Sequence, residues 1–111
     1  MSPNIDKRIP LPVRRAAREI AEHVLTWRKL RGLTQVQLAD RSGLARGTVQ
    51  RIEAGDMGVS LENLLRVLRA LGLLDAIPEA LDPFASDVGR LRADERLPTR
   101  VRPRKLSDLD G

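Results

Sequence analysis

Residues 34–55 carry the strongest structural pattern in the chain and read TQVQLADRSGLARGTVQRIEAG. Apolar residues recur in this stretch at helical spacing over 35–42 and again over 45–54. Gly43 stands between the two segments, where a tight turn requires a backbone conformation that glycine adopts readily. The stretch therefore predicts two short helices joined by a turn, the layout of a helix-turn-helix. The residues expected to hold this pair together are Leu38, Ala39, Gly43, Leu44, Val49 and Ile52.

Helices are also predicted on both sides of this pair. Residues 13–31 carry an apolar face at helical spacing, and residues 61–71 carry a stripe of leucines. The expected inward residues of the first of these helices are Val13, Ala17, Ile20, Val24 and Trp27. Thr34 and Gln37 have the spacing of a capping box at the start of the second helix. The glycines expected to end the four helices are Gly32, Gly43, Gly55 and Gly72.

The pattern is weaker beyond Gly72. A short helix is expected over 73–77, ending before Pro78, and Asp82 is expected to cap a further helix over 83–93. No stretch alternates as a β-strand does. We therefore predict an all-α fold, a compact bundle of four to five helices that contains the helix-turn-helix.

The composition disfavours most enzyme classes. None of the 111 residues is Cys and one is His, so disulfides, cysteine-ligated zinc and multi-histidine metal sites lack the residues they need. No nucleophile motif or phosphate-binding loop is recognisable, so we expect no enzyme activity, no metal and no cofactor. No apolar run approaches the ~18 residues of a membrane span, and no secretory leader is recognised. A cytoplasmic protein that does not enter a membrane is expected.

The net charge is +5, and the positive charge is concentrated at both ends of the chain. Residues 1–31 hold 8 Lys or Arg and 3 acidic residues, residues 32–82 hold 5 and 7, and residues 83–111 hold 7 and 5. Basic ends favour a polyanionic partner, most often nucleic acid. The predicted parts are a flexible arm over 1–12, a DNA-binding helix-turn-helix domain over 13–77, and a partly disordered extension over 78–111 that contacts a second subunit or another partner.

The outward face of segment 45–54 carries side chains that suit nucleic-acid recognition. Its residues are Arg46, Gly47, Thr48, Gln50 and Arg51. Arginine and glutamine hydrogen-bond to base edges in the major groove, and hydroxyl groups bind phosphate oxygens. A merely solvated helix face is the alternative interpretation of the two arginines.

Three motifs, WRKLRGLTQVQLA, GLARGTVQRIEAG and SLENLLRVLRALG, resemble the Cro/Xre helix-turn-helix family of phage-repressor-like DNA-binding domains. The resemblance covers residues 24–71. It implies that the helix over 45–54 enters the major groove, and that Gln35 contacts phosphate and supports that helix. The DNA-binding residues it implies are Gln35, Arg46, Gly47, Thr48, Gln50 and Arg51. The structural residues are Arg28, Thr34, Ala39, Gly43, Val49, Ile52 and Glu53, with a salt bridge between Arg28 and Glu53.

Two positions depart from the family pattern. Ala45 stands where the family usually has a serine that caps the recognition helix. Gly47 stands where a polar residue is usual, so one side chain that reads bases is absent. Either the backbone approaches DNA closely at this position, or one base position is read loosely. Glycine inside a helix also costs about 1 kcal/mol relative to alanine.

The expected function is sequence-specific binding of double-stranded DNA by a transcriptional regulator, a dimeric repressor. One short helix covers too few base pairs, so we expect a homodimer on half-sites about 34 Å, or a multiple of that, apart. The apolar residues expected at the dimer surface are Leu73, Leu74, Ile77, Leu81 and Phe84.

Two alternatives stay open. The fourth predicted helix and the basic, proline-containing tail resemble, more loosely, the HipB-like antitoxin branch of the family. That resemblance implies a protein that represses its own operon and binds a kinase-like toxin. The second alternative is a helical protein-interaction module that does not bind DNA.

Overall fold

The structure is a computed structural model that describes residues 8–97. These residues form helices and no strands, so the all-α prediction is confirmed. In chain order the α-helices are α1 (Leu11–Leu30), α2 (Gln35–Ser42), α3 (Arg46–Glu53), α4 (Leu61–Ala70), α5 (Ala76–Leu81) and α6 (Asp87–Arg96). A short 3-10 turn, Pro83–Ala85, precedes α6. The chain divides after Leu74 into two compact units.

The helix ends of the first unit follow local capping signals. All four predicted terminal glycines have positive φ angles, between 69° and 80°. At Gly43 the φ angle is 69° and ψ is 32°, the left-handed conformation that reverses the chain between α2 and α3. The first helix begins at Leu11, before the predicted start at 13, and Pro12 lies in its first turn, where a missing N–H breaks no hydrogen bond.

The core of the first unit lies where α2, α3 and α4 meet. Helix α2 packs against both α3 and α4, and α1 packs against α3. Leu38 of α2 and Val49 of α3 are completely buried, and Ala39 is 2% exposed at the crossing. The other buried apolar residues are Ala21, Val24, Leu33, Ile52, Val67, Leu68 and Leu71. Packing into this core holds α3 in place and leaves the opposite side of the helix exposed.

The predicted inward face of α1 is only partly correct. Val24 is buried, but Val13, Ile20 and Trp27 are 50%, 43% and 38% exposed. The buried or nearly buried positions of α1 are Ala21, Val24 and Arg28, so the side of the helix that packs against α3 is rotated away from Ile20 and Trp27. The interpretation of Trp27 as a core residue is therefore wrong; instead the Arg31 guanidinium lies 5.3 Å from the centre of its ring.

The second unit differs from the predicted arrangement in two helices. The helix expected over 73–77 is instead α5, and Pro78 is its third residue rather than the residue that stops it. The N–H groups of the first helical turn have no intrahelical acceptor, so a proline there costs no hydrogen bond. Pro78 is therefore compatible with the start of a helix. The helix expected over 83–93 is divided at Ser86, whose hydroxyl accepts a hydrogen bond from the Gly89 N–H at 3.0 Å and so begins α6.

Two of the predicted segments reach beyond the described residues. Of the arm predicted over 1–12, residues 1–7 lie outside them, and Leu11 and Pro12 belong to α1. Of the extension predicted over 78–111, residues 98–111 lie outside them.

Candidate nucleic-acid interface

Helix α3 presents a polar face on the side opposite its buried residues. Val49 and Ile52 are 0% and 5% exposed and face the core. The residues on the other side of the helix are exposed: Arg46, Gly47, Gln50 and Arg51. Thr48 lies at the edge of this face and is half-buried. The five predicted reading residues are therefore brought together on one short, well-anchored helix.

The start of α3 has no side-chain cap. Ala45 occupies the N-cap position with φ −71° and ψ 149°, and no side chain accepts a hydrogen bond there. By contrast, Thr34 Oγ1 accepts from the Gln37 N–H at 3.1 Å, and Gln37 Oε1 accepts from the Thr34 N–H at 2.9 Å, which is the reciprocal pair of a capping box. The first-turn N–H groups of α3 therefore remain without a side-chain acceptor, next to Arg46.

A buried ion cluster ties α3 to the two helices before it. Arg28 Nε donates to Glu53 Oε2 at 2.6 Å, and a terminal nitrogen of Arg28 donates to Glu53 Oε1 at 3.1 Å. Gln35 Nε2 also donates to Oε1, at 3.0 Å. A second terminal nitrogen of Arg28 donates to the Leu33 carbonyl oxygen at 2.8 Å. The side chains of Arg28 and Glu53 are 11% and 3% exposed, so the charges are almost fully removed from water.

This cluster sets the position of α3 relative to α1 and α2. Glu53 is the last residue of α3, Arg28 lies in the last turns of α1, and Gln35 is the first residue of α2. A carboxylate that accepts three hydrogen bonds from two other helices restricts how α3 can move. The side-chain amide of Gln35 supports α3 through Glu53.

The comparisons with known proteins agree with this geometry. Residues 24–75 match the helix-turn-helix family. The cryptic phage CTXphi transcriptional repressor RstR of Vibrio cholerae serotype O1 is 28% identical over 92 residues, covering 83% of this chain and 74% of the relative. The family match covers 52 of the 111 residues, and together with this relative it supports a Cro/Xre-like helix-turn-helix domain. No solved structure matches this chain.

Within the matched residues, α2 and α3 are the two helices joined by the turn at Gly43. The family match and the repressor relative support a DNA-binding transcriptional regulator. Within the described part of the chain Arg46 forms no ion pair, so its guanidinium is available to a ligand. Gln50 is exposed one turn further along.

Arg51, in contrast, is already held by an acidic residue that sequence reasoning missed. Its Nε lies 2.8 Å from Asp56 Oδ2, and the two side chains are 54% and 40% exposed. The other carboxylate oxygen of Asp56 accepts from the Gly58 N–H at 2.8 Å. The hydrogen bond from Arg51 first, and that from Gly58 second, lower the pKa of Asp56 below its ordinary value of 3.8. The sequence signal for this pair is Asp56, an acidic residue directly after Gly55, the glycine that ends α3.

The described residues show neither a membrane-spanning helix nor a metal cluster. Among the helices of residues 8–97, none has the length and apolar composition needed to cross a bilayer. No group of three or more His, Asp or Glu side chains in the same range is arranged as a metal site would be.

Proposed function

We propose that this protein is a dimeric repressor that reads double-stranded DNA by placing α3 in the major groove. The observation that carries the proposal is the exposed polar face of α3 on a helix anchored through Val49, Ile52 and the buried Glu53. A rigid helix with arginine and glutamine on its free side is suited to hydrogen-bond base edges. The match of residues 24–75 to the helix-turn-helix family supports the same function.

The exposed residues of α3 divide into base-reading and positioning roles. Arg46 and Arg51 read guanine through O6 and N7, each with about 1–3 kcal/mol of discrimination against the wrong base. Gln50 reads a neighbouring base. Thr48 and Gln35 bind backbone phosphates and set the register of the helix in the groove. At Gly47 the helix backbone approaches the DNA, because this position carries no side chain.

Two copies of the chain act on one operator. The 8 residues of α3 extend about 12 Å, which spans only a few base pairs. A homodimer with half-sites about 34 Å apart, or a multiple of that, supplies the missing specificity. Exposed apolar residues support dimer contacts on each unit taken by itself: Leu74 of the first unit is 42% exposed, and Leu81 of the second unit is 74% exposed. Leu74→Glu and Leu81→Glu are expected to give monomers in light scattering, and a double variant that stays dimeric would refute these contacts.

The repressor relative supports the sign of regulation. The Vibrio cholerae phage protein is a transcriptional repressor and aligns with 83% of this chain. A regulator of this kind acts where its operator lies, and we infer that this is the cytoplasm. It functions through binding alone, without a cofactor or catalysis.

Binding to the DNA upstream of the protein's own gene tests the proposal. The dissociation constant is measured for that duplex and for a scrambled duplex of equal composition across a salt series. We expect at least about a hundredfold preference at physiological salt. Arg46→Ala should weaken specific binding at least about fivefold, the lower end of what an arginine–guanine contact supplies. Arg69→Ala, an exposed arginine of α4, is the matched control and should change little.

The outcomes separate the candidate functions. Equal binding to both duplexes with a steep salt dependence would show that only charge acts, and would refute a specific autoregulator. A folded protein that binds neither duplex would favour the interaction module. The HipB-like alternative predicts a kinase-like toxin gene beside this one and a complex between the two proteins.

A further inference from the structure

At the C-terminal end of α3 the chain reverses, and Asp56, which follows α3, returns towards that same helix. Gly55 has a φ angle of 80°, its N–H donates to the Ile52 carbonyl at 3.1 Å, and the Asp56 N–H donates to the Arg51 carbonyl at 3.0 Å. These two bonds form a Schellman motif. An apolar contact frequently joins the residues at the positions of Arg51 and Asp56 in such motifs. In this protein an ion pair joins them.

The Asp56 carboxylate is held at both oxygens. One oxygen accepts from Arg51 Nε and the other from the Gly58 N–H, each at 2.8 Å. The carboxylate therefore has one orientation relative to the loop backbone, and it transmits that orientation to Arg51. Bonding at Nε leaves the two terminal amino groups of the guanidinium available. Those two groups form the fork that matches guanine O6 and N7.

We propose that Asp56 is a specificity-determining positioning residue, which holds Arg51 on the exposed face of α3 so that its terminal nitrogens read one base pair. The proposal rests on the proposed function, since it requires α3 to lie in the major groove. An arginine side chain has many rotamers in water, and fixing one of them before binding reduces the entropy lost on reading a base. Asp56 acts through Arg51 and touches no base itself.

A comparison within the chain shows why a plain surface ion pair is a poor explanation. Glu62 and Arg66 on α4 also pair, at 2.9 Å, with exposed side chains. Among residues 8–97 the Glu62 carboxylate accepts from no backbone N–H, whereas the Asp56 carboxylate is fixed by the Gly58 N–H. Exposed ion pairs contribute little to stability, and a carboxylate close to DNA repels phosphate. An acid at position 56 is therefore unfavourable for DNA affinity unless it improves the reading of a base.

The experiment uses the full chain and duplexes selected by the wild-type protein from a randomised pool. Dissociation constants are measured for the selected duplex and for every single-base-pair change in it. Arg51→Ala identifies the base pair that Arg51 reads. Asp56→Asn keeps a side-chain oxygen for the Gly58 N–H but removes the charge and places a donor against Arg51 Nε. Glu62→Gln is the control that removes an equal charge from an exposed pair on α4.

We expect Asp56→Asn to lose at least about fivefold of the discrimination at the base pair identified by Arg51→Ala, and to keep discrimination at the other pairs. The double variant Arg51→Ala/Asp56→Asn should lose no more discrimination at that base pair than Arg51→Ala alone, because the two residues act as a unit. Glu62→Gln should keep wild-type discrimination. Arg51→Lys, which leaves the Asp56–Gly58 bond intact but cannot form the fork, should reproduce the loss. Circular dichroism melting checks that each variant is folded.

Each contrary result overturns a defined claim. Unchanged discrimination in Asp56→Asn would refute the positioning role. Tighter binding of Asp56→Asn to every duplex equally would also refute it, because Asp56 would then act only as a repelling charge. If the wild-type protein selects no sequence, the proposed function fails and the positioning role fails with it. If the wild type selects a sequence and Asp56→Asn behaves like it, the positioning role alone fails.

Discussion

Replacing Arg28 by methionine removes the positive charge from the ion cluster and leaves Glu53 buried with a negative one. The Glu53 side chain is 3% exposed and would keep one hydrogen bond, from Gln35 Nε2 at 3.0 Å. Breaking a buried ion pair by removing one partner costs about 3–5 kcal/mol. Because the hydrogen bond from the Gln35 amide remains, we expect a loss of about 3 kcal/mol. The Leu33 carbonyl would also lose its donor from Arg28.

The measurement is urea unfolding followed by circular dichroism at 222 nm. We expect a lower midpoint for Arg28→Met with an unchanged slope against urea, which indicates lost stability rather than a changed unfolded state. The double variant Arg28→Met/Glu53→Leu should recover most of the loss, because apolar residues replace both buried charges. Arg66→Met is the matched control, since it breaks an exposed pair with Glu62 and should cost less than about 1 kcal/mol. Equal losses in Arg28→Met and Arg66→Met would refute the reasoning.

Three further predictions concern single positions. Gly47→Ala should raise the free energy of unfolding by about 1 kcal/mol, because a Cβ there meets nothing within 4 Å; weaker DNA binding by this stabilised variant would support a close backbone approach. Gly89→Ala should disrupt the turn before α6, because its Cβ would lie 1.8 Å from the Pro83 oxygen, and a wild-type helical content would contradict this. The carboxyl of Asp56 should titrate below 3.8 by NMR, so its pair with Arg51 is intact at higher pH and lost as pH falls through the lowered pKa. In Arg51→Ala that pKa should return towards 3.8, since the largest cause of the shift is removed.

Local signals predicted the helices of the first unit well. A capping residue or a terminal glycine acts within one helical turn, so its effect is visible in a short stretch of sequence. Thr34 caps α2, and Gly43 takes the left-handed conformation at its end. The prediction that a helix ends before Pro78 is wrong, because a proline is compatible with the first turn of a helix as well as with the position after its end.

Burial could not be predicted from an apolar stripe alone. Val24 and Trp27 lie on the same predicted face of α1, yet one is 2% and the other 38% exposed. The difference depends on which side of α1 packs against α3, and that side carries Ala21, Val24 and Arg28. Because α3 is distant from α1 in sequence, the apolar stripe alone does not reveal which side it covers.

The all-helical pattern, the turn at Gly43 and the set of polar residues on one side of α3 could be predicted from sequence, because each depends on spacing within a few residues. The tertiary structure alone decided which groups those residues meet. Arg28 and Glu53 are 25 positions apart, and only the packing of α1 against α3 brings them within 2.6 Å. The return of the chain at Gly55 likewise brings Asp56 to Arg51, and so leaves Arg46 as the unpaired arginine of α3 within the described residues. Charged side chains find their partners through the path of the backbone, which is set by the packing of the core.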